Sequence, residues 1–310
     1  MAIADVHGCV PRCRLAYIAF PPEADHPVHF FCLDCILSHC RRPHQLPECL
    51  PAAEEYAVFG MAGETEFDLR FQLFNIPVRV HPMFWLSSAF MVWDGENPVR
   101  TFLGVLCLFI SVLVHELGHA VVIRRFGFSS EIVLYLFCGY ATSSHFPFRK
   151  AIAVSVAGPA AGLLLGALVY MVGRFGLLGS FAGFSEVFYF WQMMIFAGLI
   201  VNLLNLVPCL PLDGGQIMAA LVRQFGPRGR DNSELILRIS IAVSGAVALW
   251  AAWCSNHNQP FFPVWMFLML PAKDGRLLFT LQPDPSFEVF FMGYLCATSI
   301  IELNRYRAWR

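Results

Sequence analysis

Charge is what this chain has least of. Asp, Glu, Lys and Arg make up 14% of its 310 residues, while 57% are hydrophobic. A soluble domain carries about 25% charged residues, so the supply here is roughly half of what covers a globule in water. A soluble enzyme is therefore set aside and a membrane protein is expected. Neither sign of charge is in excess, since Lys+Arg 21 against Asp+Glu 22 leaves a formal net charge of -1. Without a basic surplus to neutralise phosphates, no nucleic-acid partner is expected. No internal repeat or low-complexity tract is visible, and no signal peptide is expected, since the first residues lack the basic, apolar and small-residue order of one.

Cysteine, by contrast, is plentiful. Eleven cysteines would suit a secreted disulfide scaffold, but a chain of this length buries a core without such staples. Six of the eleven fall in the first fifty residues, which marks a boundary. Residues 1–60 are expected to form a Cys/His-rich cytosolic segment, and residues 61–310 a membrane-embedded domain.

Three apolar runs, Phe102 to Ile123, Ala151 to Gly173 and Val187 to Val207, each supply about the 20 residues with which a helix crosses a hydrocarbon core of about 30 Å. Shorter runs at Val80 to Trp93, Ile239 to Cys254, Pro260 to Ala272 and Phe287 to Ile301 are tilted, re-entrant or interfacial candidates. The expected fold is an all-α polytopic membrane protein with about four to six spans. A strand-like stretch, Glu131 to Thr142, lies between the first two long runs and is expected at the surface.

Cytoplasmic loops hold the excess of Lys and Arg. Arg124 and Arg125 close the first long run, Arg149 and Lys150 open the second, and Arg223, Arg228 and Arg230 follow the third. These ends are expected inside, whereas the loops holding Asp94, Glu96 and Glu186, with only Arg174, belong outside. If Val80 to Trp93 also crosses, the amino-terminal segment is cytosolic and its thiols stay reduced.

Within the first run the sequence reads V-L-V-H-E-L-G-H-A-V-V, placing His115, Glu116 and His119 in an apolar span. Residues four apart share a helix face, so both imidazoles can converge on one metal while Glu116 reaches a water beside it. Ionisable groups at mid-membrane cost about 2.5–3.5 kcal/mol each on insertion scales, so three within five positions call for a bound cation. Catalytic zinc takes three protein ligands. The segment V-N-L-L-N-L-V-P-C-L-P-L-D-G-G supplies Asp213, the carboxylate near an apolar stretch at the same depth. Alone, P-L-D-G-G reads as a turn. Its place beside Asn202 and Asn205 makes Asp213 the expected third ligand.

H-E-L-G-H in one membrane helix and N-L-V-P-C-L-P-L-D-G-G in a later one resemble the site-2 protease family of intramembrane zinc metalloproteases. The resemblance covers roughly residues 70 to 225 and extends to I-P-V-R-V-H-P and A-G-P. It is closest to the compact branch that includes the stage IV sporulation protease and lacks an inserted PDZ domain. The resemblance implies a three-helix catalytic core, zinc on His115, His119 and Asp213, a catalytic Glu116, and Asn205 as a polar group near the reacting carbonyl. Pro208 and Pro211 match the family's prolines. The implied reaction is hydrolysis of peptide bonds in or near membrane-spanning segments of protein substrates, as in regulated intramembrane proteolysis. The alternative is a zinc-binding membrane protein without proteolysis, either a metal transporter or a scaffold holding client helices.

The sequence departs from the family pattern in a few places, notably Gly162, where many relatives have Asn, and Cys138-Gly139, where Gly-Gly is common. Gly158, Gly162 and Gly166 form a small-residue row read as helix packing. His81 is expected at the membrane interface, and Cys107, Cys138, Cys209, Cys254 and Cys296 are expected as small apolar fillers. In residues 1–60, Cys9-x3-Cys13 and His29-x2-Cys32-x2-Cys35-x4-Cys40 have spacings near those of zinc fingers, with Cys49 farther on. That segment is a structural zinc module able to dock a partner protein, a loosely ordered stretch, or sequence upstream of a start at Met61. The expected location is the cell membrane, with the active site towards the cytoplasm.

Overall fold

The computed structural model describes residues 64–136, 138–141, 146–175, 185–227, 232–259, 261 and 285–308, together with three short strands in the first sixty residues. The chain divides into two units, Met1–Ala57 and Val58–Arg310. In the first, β1 (Ala2–Ile3), β2 (Leu15–Tyr17) and β3 (Phe31–Cys32) pair antiparallel in chain order. Of the residues in the finger-like spacings, Cys32 lies in β3, and the others are outside the described residues.

The second unit opens with a hairpin of β4 (Leu69–Leu73) and β5 (Ile76–Val80). Its turn holds Phe74 and Asn75 at positive φ of 51° and 61°. His81 follows. Its ring Nδ1 accepts the Met83 N–H at 3.1 Å and caps α1 (Pro82–Met91), so this histidine has a local structural task. At ten residues α1 reaches about 15 Å, half of a hydrocarbon core. Val80 to Trp93 is therefore too short a helix to cross, and the premise that placed the amino-terminal segment in the cytosol is not met.

The β element expected between the first two long helices is present and larger than expected. β6 (Ile132–Tyr135) pairs parallel with β5, and β7 (Cys138–Ala141) pairs antiparallel with β6, giving a four-stranded sheet in the order β4-β5-β6-β7. Ile132 and Leu134 are not surface residues. They are fully buried with Ile76, Val78, Val80, Phe84, Val112 and Ala120, in one core that joins the sheet to the next helix. An interior strand has both edges paired, and only the return of the chain past β5 makes β6 one.

That helix, α2 (Pro98–Arg125), is capped by Asn97, whose side chain accepts the N–H groups of Val99 and Arg100, and it ends on Arg124 and Arg125. It is followed by α3 (Phe148–Arg174) and α4 (Ser185–Phe196). The last runs on through a π-helical turn, Ala197–Val201, into one more turn, α5 (Asn202–Asn205). The backbone is then irregular to Leu212, resuming as α6 (Asp213–Phe225). Pro208 and Pro211 lie in the break, where neither can supply an amide proton to continue a helix. α7 (Ser233–Asn256) and α8 (Pro285–Ala308) pack side by side.

Among the described residues, five helices are long and apolar enough to cross a membrane: Pro98–Arg125, Phe148–Gly173, Glu186–Asn205, Ser233–Asn256 and Pro285–Ala308. The two weaker runs at Ile239 to Cys254 and Phe287 to Ile301 thus belong to full-length helices, while Pro260 to Ala272 lies almost wholly outside the described residues. The most apolar window of α2 is 50% buried against 22% for α3, so α2 is the more enclosed helix. Leu164, Leu168, Leu249, Trp250 and Phe290 are among the exposed apolar side chains on these helices, a surface that suits lipid. Cys107, Cys209 and Cys254 are fully buried, as fillers should be, and Cys296 is partly so.

Candidate metal centre

The helical repeat brings the His115 and His119 rings together on one side of α2, edge to face, with centroids 4.8 Å apart and planes at 77°. Both are buried, as is Glu116 between them. Each imidazole is fixed at its far nitrogen by an oxygen that can only accept. His119 Nδ1 donates to the Val154 carbonyl of α3 at 2.7 Å, and His115 Nδ1 donates to the Asn202 side-chain oxygen at 2.7 Å. With the proton held on Nδ1, each Nε2 keeps a lone pair, and the two Nε2 atoms face one another at 3.1 Å.

Asp213 completes the cluster from α6. Its Oδ2 is 3.0 Å from His115 Nε2 and its Oδ1 is 3.3 Å from His119 Nε2. One ligand atom from each of the three residues falls within 4.8 Å of the others. Glu116 Oε1 stands 4.0 Å from His115 Nε2. Two imidazole lone pairs and a carboxylate directed into one buried space repel each other unless a cation joins them, and two nitrogens with one oxygen is a donor set zinc takes. His115, His119 and Asp213 could therefore hold a zinc ion and leave a fourth position open beside Glu116.

Local packing explains how an aspartate on a distant segment arrives here. Asp213 occupies the first turn of α6, where the partial positive charge of the helix end favours a carboxylate. A side chain on Gly214 would collide with the Leu206 carbonyl, and one on Gly215 with the backbone of Cys209. The paired glycines thus let α6 fold back onto the irregular segment. The Leu210 N–H in that segment is taken up by the buried Ser240 hydroxyl of α7 at 3.1 Å. Cys209 and Leu212 pack with Met292 and Leu295 of α8, so the last two long helices brace the loop that carries Asp213.

The glycine row of α3 is a packing row, and two of its contacts are polar site residues. Gly158 faces the His119 ring, Gly162 the Asn202 amide, and Gly166 the backbone of Gly198. Gly118, inside H-E-L-G-H, leaves room for the Ala157 carbonyl. Asn205 ends α5, half-buried, with no side-chain hydrogen bond among the described residues. The part played by Asn202 was not foreseen in the sequence. Its signal was a second amide in an apolar span, three residues before Asn205.

Comparison with known proteins finds a peptidase family and several metalloprotease relatives. A family model, Peptidase family M50, matches residues 176–247, the stretch that contains Asn205 and Asp213. A zinc metalloprotease of Methanocaldococcus jannaschii is 28% identical over 160 residues, 50% of this chain and 46% of that protein. Stage IV sporulation protein FB of Bacillus subtilis is 27% identical over 197 residues, 62% of this chain and 64% of that protein. The chain thus spans less than two thirds of the length of either relative. The solved site-2 protease from Methanocaldococcus jannaschii overlaps 76% of this chain and 95% of its own, at 20% identity and a TM-score of 0.47, a loose likeness. The chain resembles the site-2 type zinc metalloproteases of peptidase family M50, and it carries both of their motifs in order.

Proposed function

We propose that this protein is an intramembrane zinc metalloprotease that hydrolyses peptide bonds in or near the membrane-spanning segments of other proteins. The observation that carries the reading is the convergence of His115, His119 and Asp213 beside a buried Glu116 on a helix long enough to cross a membrane. A transporter has no need of a carboxylate held beside the ligands. Hydrolysis does.

His115, His119 and Asp213 would hold the zinc ion, which when bound would supply Lewis acidity towards water and carbonyl oxygen. Glu116 takes the proton of the attacking water and returns it to the leaving amine. Its burial keeps that proton from being shared with bulk solvent. The Asn205 amide is assigned to the developing negative charge on the carbonyl oxygen. An α-helical substrate hides its carbonyls in its own hydrogen bonds, so the scissile stretch must unwind first. The irregular backbone between Asn205 and Asp213 offers a surface against which an extended stretch could lie.

Arg124 and Arg125 close α2 within two turns of His119, which supports a site towards the cytoplasmic side of a cell membrane. The decisive experiment incubates the purified full chain with a membrane-spanning peptide. Cleavage that stops with a zinc chelator, returns with added zinc and is absent in Glu116→Gln supports the proposal. Undiminished cleavage by Glu116→Gln overturns it.

A further inference from the structure

A zinc-binding imidazole works only if its free nitrogen is held in the right tautomer and orientation, and the partner that does this is often a carboxylate or a carbonyl. For His119 that partner is the Val154 carbonyl, which belongs to the backbone and cannot be lost. For His115 it is a side chain. Asn202 is fully buried, and its Oδ1 lies 2.7 Å from His115 Nδ1.

The amide is itself held. Its Nδ2 donates to the Gly198 carbonyl at 2.9 Å, and the Ala197 carbonyl lies 3.5 Å away. Both acceptors belong to the π-helical turn Ala197–Val201, and Ala197 also accepts the buried Ser111 hydroxyl of α2 at 3.0 Å. A π-helical turn breaks the i→i-4 ladder and leaves carbonyls for side chains to satisfy. With the NH2 group committed to those carbonyls, the oxygen must face His115 and can only accept. The imidazole is then protonated at Nδ1, and its Nε2 lone pair points at His119 and Asp213. The amide fits because Gly162 has no side chain: a methyl there would run into the Asn202 Oδ1, Nδ2 and Cγ atoms.

We infer that Asn202 is a positioning residue for His115, fixing its tautomer and aiming its Nε2 at the metal position, in space that Gly162 leaves open. This rests on the zinc reading proposed above. The test is the zinc affinity of the full chain in detergent, measured by competition with a chromogenic chelator. Unfolding of the metal-free proteins serves as the control on folding.

Asn202→Ala weakens zinc binding by about 10–100-fold, the usual effect of removing such an outer partner. Asn202→Asp, which still accepts from His115 Nδ1, binds more tightly than Asn202→Ala. Gly162→Ala displaces the amide and weakens zinc, yet adds no further loss in the Asn202→Ala background. Unchanged zinc affinity in Asn202→Ala overturns the inference while leaving the zinc site intact, and so do fully additive losses in the double variant. A wild-type chain that binds no zinc overturns both the inference and the reading beneath it.

Discussion

Gly158 of α3 lies against the imidazole of His119, and one turn earlier on the same helix Val154 accepts that ring's Nδ1 proton at 2.7 Å. The ring is therefore held by one helix in two ways, by a hydrogen bond and by the absence of a side chain. Gly158→Ala places a methyl where the ring stands, and overpacking of this kind costs about 1–3 kcal/mol. The expected outcome is weaker zinc binding with the helices still formed, measured by chelator competition and circular dichroism. A small-residue row that merely brought helices together would show a loss of stability with zinc affinity unchanged.

Glu116 is buried beside the ligands without being one of them. Glu116→Gln should keep zinc affinity near that of the parent and reduce turnover by about 10²–10⁴-fold, the range expected for loss of a general base. Zinc content and single-turnover cleavage, measured on the same preparation, separate the two effects. His119→Ala should lose the metal as well as the activity.

Asn205 is half-buried, ends α5 and has no side-chain partner among the described residues. If its amide serves the oxyanion, Asn205→Ala should lower kcat by up to about 10²–10³-fold while KM and zinc affinity stay near the parent values. A change in zinc affinity instead would move Asn205 from substrate to metal support.

Asp68 ties the start of the hairpin to Arg79 of β5 and lies outside the five candidate spans. Burial pushes its carboxyl up, but the hydroxyl and N–H of Thr65 and the Arg79 guanidinium outweigh this and hold it at about 2, below the ordinary 3.8. A lowered native pKa means that the ionised carboxylate stabilises the fold fully above about 4, with the contribution lost as pH falls towards 2. The thermal stability of wild type should exceed that of Asp68→Asn at neutral pH. The gap should close between pH 4 and pH 2 and stay constant from pH 5 to 7.

The sequence by itself determined that the protein is built of membrane-spanning helices, because charge scarcity and apolar run length are properties of composition and order. It also determined that His115, Glu116 and His119 share a helix face, since four residues make about one turn. The break before Asp213 was legible too, because proline cannot donate an amide proton. Tertiary structure alone decided that Asp213 reaches both imidazoles, since its approach depends on Gly214 and Gly215 packing against the preceding backbone and on α7 and α8 bracing it. It also decided that β6 is an interior strand, because its partner β5 lies on the far side of α2 in the chain. Asn202 shows the limit most clearly. Its composition and spacing marked it as polar in an apolar span, but which way its amide faces depends on a π-helical turn and on the empty side-chain position at Gly162. A hydrogen bond between residues 87 apart in the chain is a fact about packing, and packing is not written in any local pattern.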